Sequence, residues 1–218
     1  MFKGTSASAG IGIGKAVIVE EAELVITRNE VADAEGEIQR FRGALEKTIA
    51  ATQKMADDLA SRVGEKEAEI MQGHMMLLSD PMLTGEIENS VKNDKVNCEF
   101  AIENVCNMYA DMFASMGDEL MQQRATDMRD IKVRMQRTLM GLESVDVSLL
   151  PKGSILVAKD LTPSMTAGIN PENVSGIVTE LGGKTSHSAI LARALEIPAV
   201  VAVNGLMDAV KDGDKVVL

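Results

Sequence analysis

Gly182-Gly183-Lys184-Thr185-Ser186-His187-Ser188-Ala189-Ile190-Leu191-Ala192-Arg193 decides how this chain is read. It sets one of only two histidines directly after a glycine pair and a Thr-Ser cap. Val174-Ser175-Gly176-Ile177-Val178-Thr179, just before it, reads as a buried strand, and Ser186 to Leu195 reads as a helix. A strand, a tight glycine turn and a helix N-terminus together make a phosphate-binding corner, because backbone N–H groups lack intrahelical partners there and the helix dipole is positive. Here the corner holds a nucleophile. An imidazole at that point can take a phosphoryl group, whose negative charge the peptide amides stabilise.

Two plainer readings compete. His187 falls at helical spacing with Ile190, Leu191, Ala194 and Leu195, so a core histidine with its hydrogen bonds met also fits, and for such a segment alone it is the commoner case. The run Gly183-Lys184-Thr185 looks like the end of a P-loop. That motif needs a glycine five residues earlier to wrap the phosphates, and the chain has Val178 there, so the P-loop reading fails on spacing.

The 218 residues suffice for one large domain or two small ones, and 45% apolar with 25% charged residues is a globular composition. A net charge of -11 argues against nucleic acid and suits a basic protein partner. No apolar run approaches the ~20 residues of a membrane span. Met1-Phe2-Lys3-Gly4-Thr5-Ser6 opens no signal-peptide core and reads as a mature start, which together with two lone cysteines points to the cytoplasm. Cys98 and Cys106 read as reduced, buried thiols, and no zinc-type cluster or other metal site is visible. Aromatic residues are only 2%, while there are fifteen methionines. Met71, Met75, Met76 and Met82 lie so close together that some are expected at the surface.

Three zones follow one another. Ser8-Ala9-Gly10-Ile11-Gly12-Ile13-Gly14-Lys15-Ala16-Val17-Ile18-Val19 reads as a glycine-bent strand pair; a dinucleotide fingerprint would need a third glycine at Lys15. From about Asn29 to Leu142 the pattern is helical: Val31 to Arg62, a break at Gly64, then Glu67 to Leu78, a helix opened by Asp80-Pro81, Asn97 to Met116, and Glu119 to Leu142. Short loops between them predict an antiparallel bundle. From Val145 onward, strands alternate with short helices, which predicts an α/β domain. A lone strand pair is marginal, so the N-terminal strands are expected to join that sheet with the helical zone inserted between. The last run, Val216-Val217-Leu218, is itself β-like, as at a trimmed end.

The segment 182–193 resembles the active-site segment of phosphohistidine domains in phosphoenolpyruvate-using enzymes, and Asp160-Leu161-Thr162-Pro163-Ser164 resembles their second signature. Residues 4 to 16, the helical block and Gly73-His74-Met75-Met76-Leu77-Leu78 are similar to the Enzyme I family of the bacterial phosphotransferase system, and the resemblance covers essentially the whole chain. It implies an α/β swivelling phosphohistidine domain (β/β/α) formed by 1–22 plus 146–218, with an inserted all-α helical-bundle subdomain at 23–145 that docks the phosphocarrier protein HPr. His187 is then the phosphoacceptor at Nε2, with Thr162 contacting the imidazole, Lys184 and Ser186 assisting, and Gly182, Gly183 and Thr185 forming the phosphate loop. Arg193 matches an arginine of the following helix, for which a solvated or salt-bridging role is at least as fitting as a catalytic one.

The docking contacts implied are Glu69, Met76, Leu77 and Arg124. Four apolar residues in a row, Met75 to Leu78, are wider than one helix face, so one or two should look outward. The chain departs from the family at Ser79-Asp80-Pro81-Met82, where many relatives carry several acids. His74 lacks a glycine turn and reads as structural or interfacial. The family's barrel domain, which binds phosphoenolpyruvate and Mg2+ and forms a homodimer, has no match here. The expectation is therefore a monomeric fragment with no cofactor of its own, exchanging phosphate with HPr and receiving it from phosphoenolpyruvate only through that missing domain. A swivelling domain of a phosphoenolpyruvate-using dikinase and a helical binding module without chemistry are the alternatives; the helical insertion speaks against the first.

Overall fold

A computed structural model describes residues 2–218; Met1, the first residue of the expected α/β domain, lies outside them. Two strands open the chain, β1 (Thr5–Ser8) and β2 (Ile13–Ile18). Five helices follow: α1 (Ala34–Arg62), α2 (Glu65–Leu78), α3 (Pro81–Asp94), α4 (Cys98–Ser115) and α5 (Glu119–Met140). After a short 3-10 turn at Val147–Leu149 come β3 (Ser154–Ala158), α6 (Pro163–Ala167), β4 (Val174–Thr179), α7 (His187–Ala194), β5 (Ala199–Val201), α8 (Leu206–Ala209) and β6 (Lys215–Val217). This is the expected α/β domain with an inserted helical subdomain.

The chain divides into two compact units, Met1–Ala22 with Leu59–Glu67 and Val145–Leu218, and Glu23–Asp58 with Ala68–Ser144. The division 1–22 plus 146–218 against 23–145 differs from it chiefly at Leu59–Glu67, the end of α1 and the turn after it. There Arg62 donates to the carbonyls of Ala167 and Ile169, at the C-terminal end of α6, where a cation meets free carbonyls and the negative end of the dipole.

In the α/β unit one six-stranded sheet has the order β1-β5-β4-β3-β2-β6. Its four inner strands run parallel, and the edge strands β1 and β6 are antiparallel to β5 and β2. All five residues of β3 are buried, as expected of a strand covered on both faces. Its side chains alternate between two cores: Leu156 and Ala158 join Ile177, Ala189 and Ala192, while Ile155 and Val157 join Val178 and Leu206. The glycines of the first strand pair permit close approach. A Cβ on Gly12 would lie 2.6 Å from the Ser175 carbonyl oxygen, and one on Gly14 would overlap that of Gly153.

The helical unit buries Phe41, Leu78, Leu83, Ile87, Ile102, Met128, Ile131 and Met135 in one cluster. Local chemistry sets the helix ends. Asp33 Oδ1 accepts from Gly36 N at 2.9 Å, so α1 starts at Ala34 and not at Val31. Gly64, at φ +133°, breaks the chain for so few residues that α2 resumes at Glu65. The Asp80 carboxylate caps α3 through Met82 N at 2.8 Å with Pro81 in the first turn. Gly141, at φ 66°, caps α5 in the left-handed region, so the helix ends at Met140, two residues short of the expected Leu142. Cys98 and Cys106 are buried, and burial pushes both thiols up to about 12. Among the described residues, no helix is long and apolar enough to cross a membrane.

Candidate active site and docking face

The histidine corner lies at the carboxyl ends of two adjacent parallel strands. Beyond β3 and β4 the chain continues paired, with Glu180 N donating to Ala158 O at 3.1 Å and Leu181 N to Lys159 O at 2.8 Å. The loops leading to α6 and α7 therefore leave the sheet side by side, where ligands of open parallel sheets are commonly received. The helices α6 and α7 pack against each other. This brings the Thr162 segment and the His187 segment to one end of the unit.

Gly182 turns the chain at φ +97°. Thr179 Oγ1, Ser186 Oγ and Asp160 Oδ1 lie 3.6, 3.7 and 3.8 Å from where its Cβ would be. Thr179, fully buried, closes the turn by donating to Leu181 O at 2.7 Å. Ser186 is the N-cap of α7: its hydroxyl accepts from Ala189 N at 3.3 Å and donates to Gly183 O at 2.8 Å. The Ser188 hydroxyl lies 2.9 Å from it. His187 is then the first residue of the helix, 9% exposed, with both ring nitrogens buried. Lys184 and Thr185 are exposed on the loop.

Thr162 stands in the matching place on α6, accepting from Met165 N at 3.2 Å, with its hydroxyl 3.1 Å from that of Ser164. Burial pushes the Asp160 carboxyl above its ordinary range, against the pull of the Leu161 N–H it accepts at 2.9 Å. Arg193 Nη1 donates to Ala7 O and to Lys184 O, both at 3.0 Å, so this arginine ties the loop and β1 to α7. That clamp was not foreseeable from sequence, because it joins three separated segments.

In the helical unit, Glu69 and Met76 are exposed, Met76 to 73%, while Leu77 is half-buried and packs against the helical core. Glu69, Gly73 and Met76 follow one another on one face of α2 at i, i+4 and i+7. Arg124, from α5, reaches the same face: a Cβ on Gly73 would lie 2.5 Å from its Nη1. His74 is fully buried against α5. Asp80, the one acid at the departure from the family pattern, is engaged as a helix cap. Among the described residues no group of three or more His, Cys, Asp or Glu could hold a metal ion.

Residues 3–124 match the family model for the N-terminal region of PEP-utilising enzymes, and residues 150–218 match that for the mobile domain of PEP-utilising enzymes. A solution structure of Enzyme I superposes with a TM-score of 0.85 at 40% identity, covering all of this chain and 89% of that one. The chain belongs to the Enzyme I family of PEP-utilising enzymes. A structure described as the N-terminal domain of a nitrogen Enzyme 1 is less similar, with a TM-score of 0.65 at 25% identity over all of this chain and 93% of that one. The phosphoenolpyruvate-protein phosphotransferases of Listeria monocytogenes and Bacillus subtilis are 42% and 40% identical over 217 residues, all of this chain and 38% of theirs. The chain thus spans little more than a third of those Enzyme I relatives.

Proposed function

We propose that this chain is the phosphoryl-carrying and partner-docking part of a phosphoenolpyruvate–protein phosphotransferase, with His187 as phosphoacceptor. The observation that carries this reading is the placement of His187 as first residue of α7, behind a serine-capped glycine turn, beside the Thr162 segment at the carboxyl ends of β3 and β4. That corner supplies what a transferred phosphoryl group needs, which is positioning and charge neutralisation.

In the proposed cycle the neutral His187 Nε2 lone pair attacks phosphorus and forms an N–P bond. The bond from phosphorus to the enol oxygen of phosphoenolpyruvate breaks, and the enolate takes up a proton to become pyruvate. A histidine nitrogen of HPr then attacks the same phosphorus, the N–P bond on His187 breaks, and the imidazole returns to its neutral form. Backbone N–H groups at the start of α7, Lys184 and the Thr162 hydroxyl offset the phosphoryl charge, while Gly182, Gly183, Thr185 and Ser186 hold the turn. Burial of both ring nitrogens implies that the imidazole is uncovered for each transfer. Phosphoenolpyruvate and any Mg2+ would be handled by a domain outside these residues, as the family resemblance implies. Glu69, Met76, Leu77 and Arg124 form the proposed HPr-docking face, and the net charge of -11 suits a basic partner.

Transfer of labelled phosphate from phospho-HPr to the purified chain tests the reading, with His187→Ala alongside. Label on the wild type, absent from the variant and labile to acid but stable to base, is the expected result. A folded wild-type chain that takes no label would overturn the HPr assignment and leave the swivelling domain of a dikinase as the reading to test next.

A further inference from the structure

Beneath the proposed docking face, α2 and α5 share a buried polar cluster. His74 is 0% exposed, and its Nε2 lies 3.2 Å from Asp127 Oδ1. Its Nδ1 makes no hydrogen bond and stands 3.8 Å from Asp130 Oδ2. The other oxygen of Asp127, Oδ2, is 3.6 Å from Arg124 Nη1. A single carboxylate, 6% exposed, is therefore held between an imidazole on one oxygen and a guanidinium on the other. A buried carboxylate is tolerated only when it is hydrogen-bonded and paired, so its rotamer is fixed by the groups that satisfy it. Arg134, buried on the same helix, faces Asp130 and donates to Thr52 at 2.7 Å.

The far end of this chain of contacts is at the surface. Arg124, its side chain 34% exposed, lays its guanidinium over Gly73, the residue preceding His74. Only a residue without Cβ leaves that seat open, since a Cβ would stand 2.5 Å from Nη1. A long arginine side chain ordinarily samples many rotamers. Here α2 supplies the seat, Gly73, and through His74 holds the α5 carboxylate that tethers the guanidinium.

We propose that His74 is a positioning residue: through Asp127 it holds the Arg124 guanidinium over Gly73, between Glu69 and Met76, preset to donate to an acceptor oxygen of the docking partner. This rests on the docking reading above. Presetting lowers the entropy lost on association, so the gain appears as affinity.

The experiment uses the full chain and HPr as the probe, with two readouts: the Arg124 Nε–Hε resonance in 15N spectra and the HPr dissociation constant by calorimetry. A glutamine at 74 reaches as far as the imidazole Nε2 and can donate to Asp127, whereas an asparagine reaches only as far as Nδ1. His74→Gln should keep the Arg124 resonance and most of the affinity. His74→Asn and Asp127→Asn should shift or broaden the resonance and weaken HPr binding about tenfold, the loss of one charge-assisted contact. Gly73→Ala should do the same while its melting temperature holds or rises, since alanine favours a helix interior.

An unmoved Arg124 resonance in folded His74→Asn overturns the proposal, and if that chain does not fold, an unmoved resonance in Asp127→Asn does so. Arg124→Ala separates the two readings. Unchanged HPr affinity in that variant removes Arg124 from the docking face, while the Arg124 resonance in the His74 and Asp127 variants still reports whether His74 positions it.

Discussion

Ser186 and Thr162 do the same job at two neighbouring helix ends: each hydroxyl accepts the backbone N–H three residues on, at 3.3 Å from Ala189 N and 3.2 Å from Met165 N. The two caps fix the entry angles of α7 and α6, and with them the surroundings of His187. Ser186→Ala should cost about 1 kcal/mol in chemical denaturation, the usual worth of an N-cap. It should also slow labelling by phospho-HPr, because the bond to Gly183 O is lost together with the cap. Thr162→Ser keeps an oxygen in place and should retain most of both. A Ser186→Ala chain as stable and as fast as the wild type would remove the cap from the mechanism.

Gly14 and Gly43 make a matched pair for a stability test. A Cβ on Gly14 would overlap the Gly153 carbonyl, and backbone cannot step aside as a side chain can. Gly14→Ala should destabilise the α/β unit by about 3 kcal/mol. Gly43, within α1, has no atom within 4 Å of its would-be Cβ. Gly43→Ala should stabilise by about 0.5–1 kcal/mol. Denaturant titrations of both variants check the sign as well as the size.

Asp160 gives a pH signature. Its raised folded value means that the fold favours the protonated carboxyl. Stability is therefore untouched well below the ordinary value of 3.8 and falls as pH rises through the raised value, where the carboxylate forms in a partly buried place. Asp160→Asn keeps an oxygen for Leu161 N and removes the charge. The variant should melt above the wild type at pH 7, and the two should converge as the pH is lowered towards 3.8. Parallel melting curves at every pH would contradict the assignment.

Where the determinants are local, the sequence is legible. The β4–glycine–α7 corner follows from a β-branched run, Gly182-Gly183 and a serine cap, all within twenty residues. The Asp80-Pro81 start of α3 is of the same kind. The exposed Met76 follows from four apolar residues in a row. The interior of α5 does not follow, because Asp127, Asp130, Arg134, Gln136 and Arg137 are all buried there. Their burial is allowed by partners elsewhere in the chain, such as Thr52 for Arg134 and Glu103 for Gln136. Nor can a residue pattern reveal Gly73 as the seat of an arginine fifty-one positions away, since a glycine in a helix looks only like a weak helix former. The end of α1 is hidden for another reason: one continuous helix carries no mark where its membership changes at Leu59.

The strand order has a consequence in time. Thr5 and Ser6 pair with Val201 and Val200, Ile13 with Val217 and Lys15 with Ser154, so β1 and β2 find their neighbours only beyond the helices that follow them. The helices between them close contacts among themselves as they emerge. Along these residues the helices therefore precede the strands that complete the sheet, and β1 and β2 wait unpaired while all five helices are made. β1 carries only small and mostly polar side chains, Thr5-Ser6-Ala7-Ser8, and such a strand is a poor template for foreign pairing. The small side chains of that edge strand are thus suited to the wait before its partner β5 is made.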